Sequence, residues 1–194
     1  MYLLSTTRFN SVTWKENKQW RRTHLWNGCI YGTQKKVSDR VMVNAPIFVI
    51  EMHNDQNRVK GIGFIQNKLL TRRCKIYSDY NYNFYTYKSE YRVDRRNMTH
   101  DEKIIMRVLD ILLFKGPSHL KRGQGILSLP KWIGETKHIN FIERSMMTEQ
   151  INNVKNCCKD TCCADGCCSD GCDTGNCSNT CCADGCCSDI DNCC

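Results

Sequence analysis

The run "APIFVIEMHNDQNRVKGIGFIQN" constrains the fold of this chain more than any other stretch. Ile47, Val49 and Glu51 alternate with Phe48, Ile50 and Met52, so both parities of the first half are largely apolar. Successive side chains of a strand point to opposite faces, and a run that is apolar on both belongs in the middle of a sheet. A second β-rich run, Val59 to Ile65, follows after a polar turn at 54–57. Gly61 and Gly63 within it predict a bulge or a close backbone approach.

The flanking segments supply both strands and helices. Tyr2 to Thr7 is a short strand candidate. "TWKE" then predicts a capping box from Thr13 to Glu16, opening a helix that runs to about Arg22. Trp14 and Trp20 fall on different faces of that helix, so each is read as core or interface. "HLWNGCIYG" reads as a loop. After the strand pair comes "KIYSDYNYNFYTYKSEYRV", with six tyrosines and a phenylalanine. It is expected to be a strand with a bulge near Phe84 and Tyr85 and aromatics on both faces. "MTHDEKIIMRVLDILLFKGP" is the best helix. Thr99 and Glu102 cap it, Ile105, Val108, Leu109 and Leu112 form the buried stripe, and Gly116-Pro117 stops it. A second start signal, Asn140 to Glu143, opens "NFIERSMMTEQI". This order of strand, helix, several strands and then helices argues for a small α+β domain on a curved sheet or barrel, not alternating βαβ units.

Composition changes abruptly near Asn156. Fourteen of the 16 cysteines lie between Cys157 and Cys194, and "TCCADGCCSD" occurs there twice. The expected organisation is a domain over 1–155 and a Cys/Asp/Gly-rich low-complexity tail over 156–194. The tail has no large apolar residue except Ile190, so without metal or crosslinks it is expected to be disordered. Its thiols, Cys162, Cys163, Cys167, Cys168, Cys181, Cys182, Cys186 and Cys187 among them, are soft ligands suited to zinc or copper(I). Crosslinking and simple expansion of a coding repeat remain open beside metal binding. The composition resembles metallothioneins and cysteine-repeat keratin-associated proteins.

Charge points to the partner. The chain carries a formal +8, yet the tail holds seven aspartates against Lys159, which leaves +14 on residues 1–156. So basic a body suits a polyanion, either nucleic acid or an acidic membrane surface. No apolar run is long enough to span a membrane, and the start lacks a signal-peptide pattern, so an intracellular location is expected.

Three segments are candidates for nucleic-acid contact. "KGPSHLKRGQG" gathers Lys115, Ser118, His119, Lys121, Arg122, Gly123 and Gly125. Glycines let backbone N–H groups approach a phosphate, and Lys and Arg add charge and donors. The alternative is a solvated basic loop at a helix end. The tyrosine segment, with Tyr82, Tyr85 and Tyr87 interleaved with Lys88, Arg92, Arg95 and Arg96, suits base stacking, although tyrosines also pack well in ordinary strands. Trp26, beside Asn27 and Gly28, could line a pocket or close the core.

Catalytic signals are sparse. The five histidines show no metal-ligand spacing, no nucleophile elbow occurs, and Cys29 and Cys74 read as packing. The expectation is a binding protein. An enzyme using His119 with Asp101, Glu102 or Asp110 is the last-ranked alternative, behind a virion-associated structural protein whose tail crosslinks or loads metal.

"WNGCIYG", "APIFVIEM", "VKGIGFIQN" and "YNYNFYTY" together resemble the sheet region of the PUA-like superfamily, in particular its EVE and YTH branches, from Trp26 to about Arg96. The strings "GIGFIQN", "YNYNFYTY" and "HLKRGQGI" also resemble uncharacterised proteins of large nucleocytoplasmic DNA viruses, which implies the host-cell cytoplasm or virion. The PUA-like resemblance implies a barrel-like sheet that binds RNA or DNA, sometimes with a modified base held in an aromatic cage, and RNA or single-stranded DNA is the expected ligand here. It would assign Trp26, Tyr31 and Tyr82 to the pocket wall and Gly61 and Gly63 to the close-packed strand.

Overall fold

A computed structural model describes residues 2–134. The chain divides into two units, Met1–Glu149 and Gln150–Cys194. The expected helix after Asn140 and the tail cysteines proposed as metal ligands, Cys162, Cys163, Cys167, Cys168, Cys181, Cys182, Cys186 and Cys187, lie outside the described residues.

The fold is α+β. Strand β1 (Leu3–Phe9) leads into helix α1 (Ser11–Thr23), followed by β2 (Cys29–Thr33), β3 (Pro46–His53), β4 (Arg58–Gln66), β5 (Tyr85–Ser89) and β6 (Arg92–Asp94). Helix α2 (His100–Phe114), the two-residue β7 (Leu127–Ser128) and the one-turn α3 (Lys131–Gly134) complete the described part. Five strands form a mixed sheet in the order β6-β4-β3-β1-β7, with β1 and β3 parallel and the other pairs antiparallel. The sheet is open, so the barrel alternative is not what forms: β6 and β7 are its edges. Strands β2 and β5 pair as a separate two-stranded ribbon.

Strand β3 is central, as its double-faced apolar pattern requires. Phe48, Ile50 and Met52 join Met106, Leu109, Leu113 and Phe114 of α2 in one core, while Ile47 and Val49 join Trp20, Ile30, Tyr31 and Tyr87 in the other. The second core brings α1 and the β2–β5 ribbon together over the opposite face of β3. Gly63 of β4 is required by that packing: a Cβ there would lie 2.1 Å from the Tyr31 hydroxyl and 2.8 Å from Cys29 Sγ. The bulge is also present. Glu51 faces Gly61 but Met52 faces Val59, which leaves Lys60 as the extra residue.

Several local expectations are corrected. Helix α1 begins a turn earlier than "TWKE" implied. Asn10 Oδ1 accepts from the Thr13 N–H at 2.8 Å, and Thr13 Oγ1 accepts from the Asn10 N–H at 3.1 Å, so Thr13 is the second member of the box. Glu16 instead accepts from the Ser78 N–H at 3.0 Å. "CIYGT" is a buried strand, not a loop, and its one glycine meets neighbouring backbone: a Cβ on Gly32 would lie 2.4 Å from the Tyr82 carbonyl oxygen. Tyr80–Asn83 is a 3₁₀ turn, which leaves Tyr85–Ser89 and the start of β6 as strand. Asp79 accepts from the Asn81 N–H, and the buried Asn83 amide holds the backbone of Ile76 and Tyr77. Side chain-to-backbone bonds here outcompete the β preference of tyrosine. On α2 the expected capping box forms, but the buried stripe is rotated and Val108 is 42% exposed.

Candidate polyanion-binding cleft

A cleft of about 950 Å³ within the first unit is strongly charged. Ten of its sixteen lining residues are cations: Lys18, Arg21, Arg22, Arg58, Lys60, Arg92, Arg95, Arg96, Lys103 and Arg107. Asp94 is the single carboxylate in the lining, and Trp14, Leu25 and Trp26 are the large apolar members.

Each element delivers its charges for a local reason. Lys18, Arg21 and Arg22 share one side of α1 because residues three and four apart are neighbours on a helix, and Lys103 and Arg107 on α2 repeat the spacing. The β4 bulge carries Lys60, and bulges re-aim side chains in this way. Arg21 is held by its Nε–H, which donates to Asn17 Oδ1 at 3.1 Å, while the buried Asn17 donates to the Ile30 carbonyl at 2.7 Å.

Carboxylates behind the wall neutralise part of this charge. Arg92 donates to both Glu51 oxygens, at 2.9 Å from Nε and 2.7 Å from Nη2, and to Asp94 at 3.3 Å. Tyr31 donates to the same Glu51 at 3.0 Å. Arg95 pairs with Asp110 at 2.7 Å, and Arg96 with Asp94 at 3.0 Å. Burial lowers the charge affinity of Arg92, but Glu51 outweighs it and holds the guanidinium above the usual arginine range. Burial likewise opposes ionisation of Asp94, but hydrogen bonds from Arg96 and the charge of Arg92 outweigh it and bring the carboxyl down to about 2.

Lys18, Arg21, Arg22, Arg58, Lys60, Lys103 and Arg107 form no ion pair among the described residues. Arg21 and Lys60 show the resulting crowding. Burial, then the charge of Arg92, lowers the Arg21 pKa; burial, then Arg58 and Arg95, lowers that of Lys60. An anion entering the cleft would relieve that repulsion.

The sequence candidates divide between this cleft and other places. Trp26 is in it. Its indole N–H donates to the Cys29 carbonyl at 3.3 Å, and Lys88 Nζ sits 4.0 Å from its ring centroid. Tyr31 and Tyr87 are corrections: each is 1% exposed, so neither can wall a pocket or stack on a base. The Tyr31 hydroxyl is bound to Glu51, and the Tyr87 hydroxyl accepts from the Val37 N–H at 2.9 Å. Tyr82 and Tyr85 are half-buried against the same core. The exposed rings of that segment are Tyr80 and Phe84, which pack edge to face with Arg73 over Phe84.

The glycine-rich basic loop does not line the cleft. Lys115 follows α2, twelve residues beyond Lys103 and so ~18 Å along the axis. The His119 and Leu120 N–H groups are used internally, by the Gly116 and Leu113 carbonyls. Arg8 donates to the Leu120 carbonyl and Asn54 to that of Lys121, which pins the loop. Lys115, Ser118, Arg122 and Gly123 are exposed, whereas His119, Lys121 and Gly125 are half-buried. Of the carboxylates considered beside His119, Asp110 is held by Arg95 and Glu102 by the α2 cap.

Cys29 is buried, and that burial pushes its thiol up to about 12, so it is a packing residue. Among the described residues no group of three or more His, Cys, Asp or Glu could hold a metal ion. No helix among them is long and apolar enough to cross a membrane. No family model, curated protein or solved structure matches the chain.

Proposed function

We propose that this chain binds nucleic acid, RNA or single-stranded DNA, through the basic cleft between α1, β4 and the first turns of α2. The observation that carries the reading is the charge of the lining: ten cations against one carboxylate, seven of the cations without an ion pair among the described residues. A groove of unpaired Lys and Arg beside a partly exposed aromatic ring is an arrangement that tracks a phosphate backbone while leaving bases free to stack. Concavity favours a flexible strand over a duplex read in its major groove, which calls for a protruding helix or ribbon. In this reading Lys18, Arg22, Arg58, Lys103 and Arg107 hold phosphate, and Trp26 contacts a base. The PUA-like fold and its modified-base cage remain proposals of the same kind. With Tyr31 buried, such a cage would have to be built around Trp26.

Titrating the full-length chain with single-stranded and duplex RNA and DNA at two salt concentrations tests this. Four or five phosphate contacts on a single strand predict a slope of log affinity against log salt of about −3. Absence of saturable binding at low salt would end the nucleic-acid reading.

A further inference from the structure

Helix α1 ends on an unusual residue. The Leu25 N–H donates to the Arg22 carbonyl at 3.2 Å, and the Trp26 N–H to the Arg21 carbonyl at 2.8 Å. This pair of bonds closes a helix through one residue in the left-handed region, a place glycine usually fills. Here it is Leu25, with φ 49°. A leucine backbone in that region is strained. Its side chain gains no packing in return, being 90% exposed, the highest value among the large hydrophobic side chains described.

The position of that side chain is informative. Leu25 lines the cleft beside Trp26 and Asn27, three residues after Arg22. The neighbouring Trp26 ring is fixed by its bond to Cys29 and by Lys88 against its π-system. A strained turn thus holds an unpacked aliphatic group at the rim of a cationic groove, next to a fixed aromatic ring. Proteins that part stacked bases use apolar wedges of this kind, while cations hold the adjacent phosphates.

We propose that Leu25 is such a wedge: it inserts against an unstacked base of a strand whose phosphates lie on Arg22, Lys18 and their neighbours. This rests on the nucleic-acid reading above and adds to it a base contact and the residue that makes it. An anionic lipid surface would also welcome an exposed leucine among cations. The cleft favours a strand, because its cations come from two helices and a bulged strand around one concavity.

The test compares the full-length chain with its Leu25→Gly variant. The probe is a single-stranded oligonucleotide carrying 2-aminopurine, whose fluorescence reports unstacking, with affinity read by anisotropy. Glycine suits the left-handed turn, so the variant should melt at a higher temperature than the parent, and weaker binding could not then be blamed on unfolding. The expected result is an affinity loss of about tenfold, within the range of one lost base contact. The salt slope should be unchanged, and the 2-aminopurine signal seen with the parent should be gone. Equal affinity and equal signal in both proteins would overturn the wedge while leaving the nucleic-acid reading intact. No binding by the parent would overturn both. Leu25-dependent binding to phosphatidylserine vesicles, with no 2-aminopurine response, would assign the leucine to a lipid surface and overturn the wedge.

Discussion

Glu51 is 1% exposed, a carboxylate in the interior of the fold. It accepts from Arg92 through both oxygens and from the Tyr31 hydroxyl, tying β3, β6 and β2 together behind the cleft. A buried carboxylate is tolerated only with its partner and hydrogen bonds in place. Glu51→Gln would leave the buried Arg92 guanidinium with Asp94 as its remaining ion-pair partner among the described residues, and losing one charge of such a pair costs about 3–5 kcal/mol. Denaturant unfolding at unchanged m-value should show that loss as a lower midpoint; a change under about 1 kcal/mol would mean that water reaches the pair. Glu51 was legible as a member of a β-strand. Its role was not, because Arg92 lies 41 positions away and nothing local marks the two as partners.

Among the elements, those whose residues satisfy one another locally were read best. The Thr99–Glu102 box opens α2 as its spacing implies, and the alternation in β3 puts that strand at the centre of the sheet. The buried face of α2 is not fixed by its own sequence, because two apolar stripes overlap on it. Either could be buried, and the positions of Phe48, Ile50 and Met52 beneath the helix select Met106, Leu109 and Leu113. The tyrosine segment was misread for a different reason. Its aromatic content suggested a strand, but the Asn83 amide accepts from the Ile76 and Tyr77 N–H groups at 2.9 and 3.0 Å and donates to the Tyr77 carbonyl at 2.8 Å. Asn83→Ala would leave two buried N–H groups unpaired, at a cost of about 2–3 kcal/mol. Amide hydrogen exchange should then quicken at residues 76 and 77 well before the sheet opens; unchanged protection there would show that another group holds the turn.

At the scale of the whole molecule, charge is what distinguishes the chain. Composition already located it: +14 on residues 1–156. It did not show where the charge converges. The glycine-rich loop drew attention because its cations are adjacent in sequence, whereas the cleft draws on residues from Lys18 to Arg107. The two locations make opposed predictions. In the nucleic-acid titration, Arg22→Ala with Arg107→Ala should flatten the salt slope by about 1.4, near 0.7 for each lost contact with a single strand. Lys121→Ala with Arg122→Ala should change it far less. The reverse ranking would return the phosphate contacts to the loop.

The sequence by itself determined the α+β class, the central strand, the α2 cap, the close-packed glycines of β4 and the excess of positive charge. Each depends on short-range periodicity, on capping chemistry or on a simple sum over residues. Only the tertiary structure decided which aromatics are buried, which face of α2 meets the sheet, and that cations from two helices and a bulged strand line one cleft. Those outcomes depend on packing between segments far apart in the chain, where the same local pattern is compatible with more than one arrangement until the neighbouring element is in place.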